Sequence, residues 1–172
     1  MSATNTAQRP RRVSDVAAGD QRETPEWLVV ELARRYAGGE FTLDAAASPE
    51  NAVADAYYTA ESNGLEQLWP GRVFVNCPWS DIEPWVLRAH GEVCEGNAEV
   101  VVMVLPARTG TEWFAYALKH AELISFIRGR PQFDRPDGER NSSCPEDVVV
   151  VVFRKPILVS ELRPKRVRHV RT

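Results

Sequence analysis

Two runs of the chain, EVVVMVLP at 99–106 and DVVVVVF at 147–153, are apolar at every position after the leading acid rather than at every second one. A strand with one wet face alternates. A strand apolar on both sides must be covered on both sides, which requires a sheet with layers above and below it. Shorter segments supply further strands: EFTLD at 40–44, RVFVN at 72–76 and ELISFI at 122–127. Between them lie segments of helical period. TPEWLVVELARRYAGG at 24–39 carries Leu28, Leu32 and Tyr36 on one stripe, with Thr24 as cap, Pro25 in the first helical position and Gly38-Gly39 as the stop. Ile82, Trp85, Val86, Ala89 and Val93 line one face of a second helix capped by Ser80 or Asp81. Thr111 opens a third, carrying Trp113, Phe114, Ala117 and Leu118, and Ser48-Pro49-Glu50 signals a short helix of its own. Helices alternating with wholly apolar strands predict a single α/β domain, a mostly parallel sheet with helices on both faces.

Bulk properties narrow the class without naming a function. The chain has 172 residues, enough for one domain with a real core, and 44% hydrophobic against 26% charged residues is a soluble globular balance. No apolar run is long enough to cross a bilayer, so no membrane partner is expected. Three cysteines, Cys77, Cys94 and Cys144, lack paired spacing; that argues against a disulfide framework and a zinc site and suits a reducing cytoplasm. Residues 1–21 read as a polar, flexible leader, 22–155 as the domain, and 156–172 as a basic tail. A net charge of −3 does not announce a nucleic-acid partner, and the tail reads equally well as a phosphate-following or a merely solvated segment.

In an open parallel sheet, ligands bind beyond the carboxyl ends of the strands. This chain places Asp44 after its first strand, the turn Asn76-Cys77-Pro78-Trp79 after the second, PARTGT with Arg108 after the third, and RGRPQF with Arg128 and Arg130 after the fourth. Each alone is more often a turn or a solvated loop. Their common edge is what favours a site. The Asn-Cys-Pro-Trp turn suits chemistry on an exocyclic amine, whose lone pair is delocalised into its ring. Two acceptors, the Asn76 side-chain oxygen and the Cys77 carbonyl, can favour the tetrahedral nitrogen that attacks a methyl donor. Trp79 is expected to stack on the base once it leaves a duplex, worth on the order of 1–3 kcal/mol. His90, His120 and His169 fall on helices or the tail and read as surface residues, so no histidine base is expected.

The order TPEWL, FTLDAAASPENA, YYTAESNGL, VFVNCPWSDIEPWV, VVVMVLPARTGTEWF, FIRGRPQF resembles the small phage-type DNA N6-adenine methyltransferases (Dam-like), over roughly 22–153. The resemblance implies a Rossmann-like fold, S-adenosylmethionine as cofactor, DNA as partner and the cytoplasm of a bacterial host. It implies Thr24 and Pro25 near the donor's methionine part and Asp44 facing its amino acid moiety. The small residues from Ala45 onward, in place of a G-x-G loop, would permit close approach, and Asn63 would contact the donor's adenine. Asn76, Cys77, Pro78 and Trp79 would form the acceptor turn, with Arg108, Arg128 and Arg130 placed for DNA. Two positions depart from the pattern: Cys77 stands where proline is usual, and Asn63 where an acid is usual. Two segments, 55–70 and 129–145, are expected to read the DNA sequence, since no separate recognition domain fits. Two other readings use the same residues: an amine of cytosine N4 or protein glutamine as acceptor, or a DNA-binding relative without turnover.

Overall fold

The computed structural model describes residues 23–129, 131 and 146–155; the expected leader, basic tail and most of the 129–145 segment, Arg130 included, lie outside them. Five strands form one sheet in the order β1-β2-β3-β5-β4, with β1 Leu43–Asp44, β2 Gly71–Val75, β3 Ala98–Pro106, β4 Leu123–Phe126 and β5 Val148–Arg154. β1, β2 and β3 pair in parallel, and β5 pairs antiparallel with both β3 and β4. β4 therefore runs with the first three, and β5 alone is reversed. The carboxyl ends of β1, β2, β3 and β4 share one edge of the sheet. The two unbroken apolar runs occupy the centre, Val101, Val102, Val104, Val149, Val151 and Val152 all being buried. Each buried valine contributes about 1.5–3 kcal/mol of transfer free energy, which makes this pair of strands the main source of stability.

Helices α1 Glu26–Tyr36, α2 Glu83–Glu95 and α3 Glu112–His120 cover the sheet. α2 packs on β3, β5 and α3, whereas α1 contacts β3. The crossovers β2–α2–β3 and β3–α3–β4 both step in one direction along the sheet, and right-handed connection puts their helices on one face. α1 is left for the other. All five residues assigned to the buried stripe of α2 are buried. Gly96 closes this helix at φ 82, donating to the carbonyls of Glu92 and Val93, as a left-handed cap requires.

Three local expectations differ from what is observed. Leu118 is exposed, since α3 turns only Trp113, Phe114 and Ala117 inward. None of the expected side-chain caps forms: α2 is preceded by Ile82 rather than by Ser80 or Asp81, Thr24 caps nothing, and Thr111 Oγ1 donates to the Arg108 carbonyl at 2.8 Å. The segment at 48–50 forms a turn, not a helix, because the chain beyond it is drawn back onto β1. There the Val53 N–H donates to the Asp44 carboxylate and the Tyr58 N–H to the Asp44 carbonyl.

Candidate active site

The shared strand edge brings most of the expected residues together. Asn76 follows the last residue of β2 and is half-buried; its Nδ2 donates to Thr24 Oγ1 at 3.0 Å. Thr24 lies just before α1, so one hydrogen bond ties the segment before α1 to the turn after β2. With Nδ2 engaged, the amide oxygen is the end turned away from Thr24, an acceptor. The Ala45 N–H donates to the Phe74 carbonyl at 3.0 Å, which carries the β1–β2 pairing past Asp44 and holds Ala45 beside the approach to Asn76. Ala45 is fully buried.

The Asn63-Gly64 turn closes onto the same place. A Cβ built on Gly64 would meet the Ala45 carbonyl oxygen at 2.1 Å, so only glycine permits this apposition. The Gly64 carbonyl accepts the Trp69 indole N–H at 2.7 Å, fixing the turn from behind. Asn63 adopts a left-handed conformation at φ 50, which asparagine tolerates better than most residues. Its Oδ1 is buried and meets no donor among the described residues. Leaving an acceptor dry and unpaired costs about 1–3 kcal/mol, a cost that a ligand's N–H would remove. This orphaned oxygen and the glycine cradle beside it suit the adenine amine of S-adenosylmethionine.

Asp44 is 2% exposed, and neither oxygen is open. Oδ1 accepts from the Ala46 N–H and Oδ2 from the Val53 N–H, both at 3.2 Å. Burial pushes its pKa up to about 6, against the opposing pull of those two N–H groups. The carboxylate thus organises the loop after β1, and it meets its surroundings as a charge rather than as a direct ligand.

The turn after β2 differs from expectation at its aromatic residue. Trp79 is 3% exposed and belongs to the hydrophobic core, so its indole offers no open face for stacking in this structure. Cys77 is likewise buried, as a free thiol. Pro78 accepts from the Asp81 N–H at 3.3 Å, and its peptide bond is trans. The arginines separate. Arg108 Nε and Nη2 form a bidentate pair with Glu146 at 2.8 and 2.6 Å, and Nη1 donates to the Trp79 carbonyl at 2.7 Å. Arg128 is exposed just past β4, and among the described residues no carboxylate pairs with it. Of the segment 55–70, Tyr57 bridges to Asp44, and the Tyr58 hydroxyl donates to the Leu68 carbonyl at 2.8 Å.

Sequence reading missed Glu146, which lies 38 residues from the arginine it pairs, and it missed the inward turn of Trp79. His90 and His120 lie away from this edge, and His169 is outside the described residues. His90 is half-buried rather than superficial, hydrogen-bonded to the Tyr116 hydroxyl at 2.7 Å and packed on His120, and burial lowers its pKa. Among the described residues no cluster of His, Cys, Asp or Glu is placed to hold a metal, and no helix is long and apolar enough to cross a membrane.

Known proteins are similar to this chain. A protein of Haemophilus phage HP1 named DNA N-6-adenine-methyltransferase is 31% identical over 130 residues, covering 74% of this chain and 75% of its own. A protein of Escherichia phage T1 with the same name is 35% identical over 113 residues, 64% of this chain. The chain spans about half the length of that second relative, 46%. Among solved structures, a Pyrococcus horikoshii protein described as a putative RNA methyltransferase superposes with a TM-score of 0.52 over 87% of this chain and 91% of its own. At 14% identity that likeness speaks for the methyltransferase fold alone. The family model for DNA N-6-adenine-methyltransferase (Dam) matches residues 13–166, beyond the 22–155 span expected for the domain at both ends. The chain belongs to the DNA N-6-adenine-methyltransferase family.

Proposed function

We propose that this protein transfers a methyl group from S-adenosylmethionine to the N6 amine of adenine in DNA, with Asn76 and the Cys77 carbonyl as the acceptors that hold the amine. The observation that carries this reading is the Asn76–Thr24 hydrogen bond, because it joins the acceptor turn to the segment expected beside the donor. When bound, S-adenosylmethionine supplies an electrophilic methyl group on a cationic sulfur. Thr24, Pro25, Ala45 and Asn63 would hold it, with Asp44 acting through its charge. Asn63 would accept the donor's adenine N–H at its unpaired Oδ1, and the buried Asp44 charge would favour a cationic ligand over a neutral one.

The protein's own part in the transfer is positioning. Asn76 and the Cys77 carbonyl pull electron density toward the amine nitrogen by accepting hydrogen bonds from its two N–H groups, and the methylated amine sheds one proton to water afterwards. No general base is required. Adenine N6 lies inside a duplex, so the base must be extruded to reach Asn76. Trp79 can stack on it only after the cover over its indole moves. Arg128, exposed at the same edge, and Arg130, two residues further along the chain, would contact DNA phosphates.

Expression in a host without adenine methylation, followed by mapping of N6-methyladenine over its genome, tests the activity, the acceptor and the target at once. Methylated adenine in one short sequence context is expected. Asn76→Ala should lower methylation at least about 100-fold while circular dichroism and melting stay near wild type, as expected where a transition-state hydrogen bond is lost. Undiminished methylation in that variant removes Asn76 from the chemistry.

A further inference from the structure

Arg108 stands at the same edge as Arg128, yet its surroundings give it a different task. We propose that Arg108 and Glu146 are positioning residues for methyl transfer, clamping the acceptor turn, and that Arg108 is not a DNA contact. The proposal rests on residues 76–79 being the acceptor turn.

Both ends of the clamp are built in. The Arg108 main chain is fixed by its N–H to the Pro106 carbonyl at 2.8 Å, and its own carbonyl accepts from the Thr111 N–H and hydroxyl at the start of α3. The adjacent Ala107 N–H donates to the Asp147 carbonyl at 2.7 Å, which docks the strand end of β3 against the entry to β5. From this base the guanidinium meets Glu146 by two parallel hydrogen bonds and aims Nη1 at the Trp79 carbonyl. A bidentate carboxylate holds the planar fork in one orientation. The Trp79 peptide is therefore gripped from outside, three residues beyond Asn76. This matters because Cys77 lacks the ring that would fix φ in the middle of the turn. Glu146 also neutralises a cation that would otherwise stand beside a site for a cationic donor. A phosphate could take the guanidinium only by displacing Glu146.

The test separates positioning from DNA contact. Arg108→Gln, Glu146→Gln and Arg128→Gln are assayed with tritiated S-adenosylmethionine and adenine-unmethylated DNA, and duplex affinity is followed by fluorescence anisotropy against salt. Arg108→Gln and Glu146→Gln should each lower kcat about 10- to 100-fold, the scale of a misplaced reacting group. Duplex affinity and its salt slope should hold at wild-type values. Arg108→Lys, able to make one bond where the fork makes two, should recover only part of kcat. Arg128→Gln should instead weaken binding and reduce the salt slope by about 1. Arg108→Gln with a slope reduced by about 1 and an intact kcat overturns the proposal. So does a Glu146→Gln variant with wild-type kcat, and that variant decides the matter if Arg108→Gln does not fold. Asn76→Ala distinguishes the two levels. If it is inactive while the clamp variants turn over normally, only the clamp falls; if it turns over normally, the acceptor turn falls with it.

Discussion

Among the described residues two carboxylates are buried, Glu92 at 1% exposure and Asp44 at 2%, and they are stabilised in opposite ways. Glu92 sits late in α2, near the amino end of β2. Its Oε1 pairs with Arg88 Nη2 at 2.5 Å, and its Oε2 accepts the Trp69 N–H at 3.0 Å. Arg88 in turn donates to the Gln67 carbonyl at 2.6 Å. The whole group fastens the segment before β2 to the helix, beneath the stacked rings of Trp69 and Trp85. Asp44, at the opposite end of the sheet, is held by two backbone N–H groups, and among the described residues no cation pairs with it. An acid that only supports architecture is neutralised within the fold. The acid at the carboxyl edge of the strands keeps an unneutralised charge, and the cost appears as a pKa raised to about 6.

The largest effect should come from breaking the paired acid. Glu92→Ala leaves the Trp69 N–H without its acceptor and Arg88 without its carboxylate, a loss of about 3 kcal/mol in urea denaturation at pH 7. That is the lower end for a buried pair, because Arg88 is a third exposed. Donor affinity in the folded fraction should not change, since Glu92 is remote from the strand edge. A loss below about 1 kcal/mol would mean that the pair contributes little, and the contrast with Asp44 would collapse.

Gly64→Ala sharpens the comparison from the ligand side. A methyl group 2.1 Å from a backbone oxygen must displace the Asn63-Gly64 turn, at a cost of about 2 kcal/mol for local overpacking. Unlike Glu92→Ala, this change should also weaken S-adenosylmethionine binding at least tenfold by calorimetry, because Asn63 moves with the turn. A variant that is destabilised yet binds the donor normally would detach Asn63 from the donor site. Trp69 links the two regions physically, its main-chain N–H bonded to Glu92 and its indole N–H to Gly64. A modest fall in stability is therefore shared by both variants, and donor affinity is the quantity that separates them.

What could be read from the sequence divides along the same line. The continuous valine runs dictated a doubly covered sheet, and the spacing in α2 dictated its buried face, because local pattern and tertiary burial agree there. The turn after β2 was readable as a strand end. The direction of its indole was not: an aromatic residue after a turn can face the core or the solvent at similar cost. Ser48-Pro49-Glu50 carries a helix signal that loses to Asp44, whose carboxylate takes the N–H of Val53. The pairing of Arg108 with Glu146 spans 38 residues, a distance at which sequence pattern says nothing about contact. Glu92 left one usable sign, Arg88 one helical turn earlier, an arrangement more common on an exposed helix face.

The smallest effect at neutral pH belongs to Asp44→Asn, and its dependence on pH is what matters. In the unfolded chain the carboxyl titrates near 3.8, and in the folded protein near 6. Below pH 3.8 it is protonated in both states, and its favourable contribution is fully present. Between about 4 and 6 the unfolded chain gives up its proton while the folded protein holds it, so stability falls as pH rises. The contribution lost by pH 7 is about 3 kcal/mol, from a shift of about two units at 1.36 kcal/mol each. The amide in the variant would carry no charge but offers one acceptor oxygen where the loop presents two N–H groups, an unsatisfied donor costing about 1–3 kcal/mol. The variant should therefore be less stable than wild type at pH 4 and within about 1 kcal/mol of it at pH 7. Urea denaturation of both proteins at the two pH values cancels every other titration common to them. A difference that does not change with pH would mean that Asp44 is solvated like a surface acid, and the contrast with Glu92 would then be one of partners only.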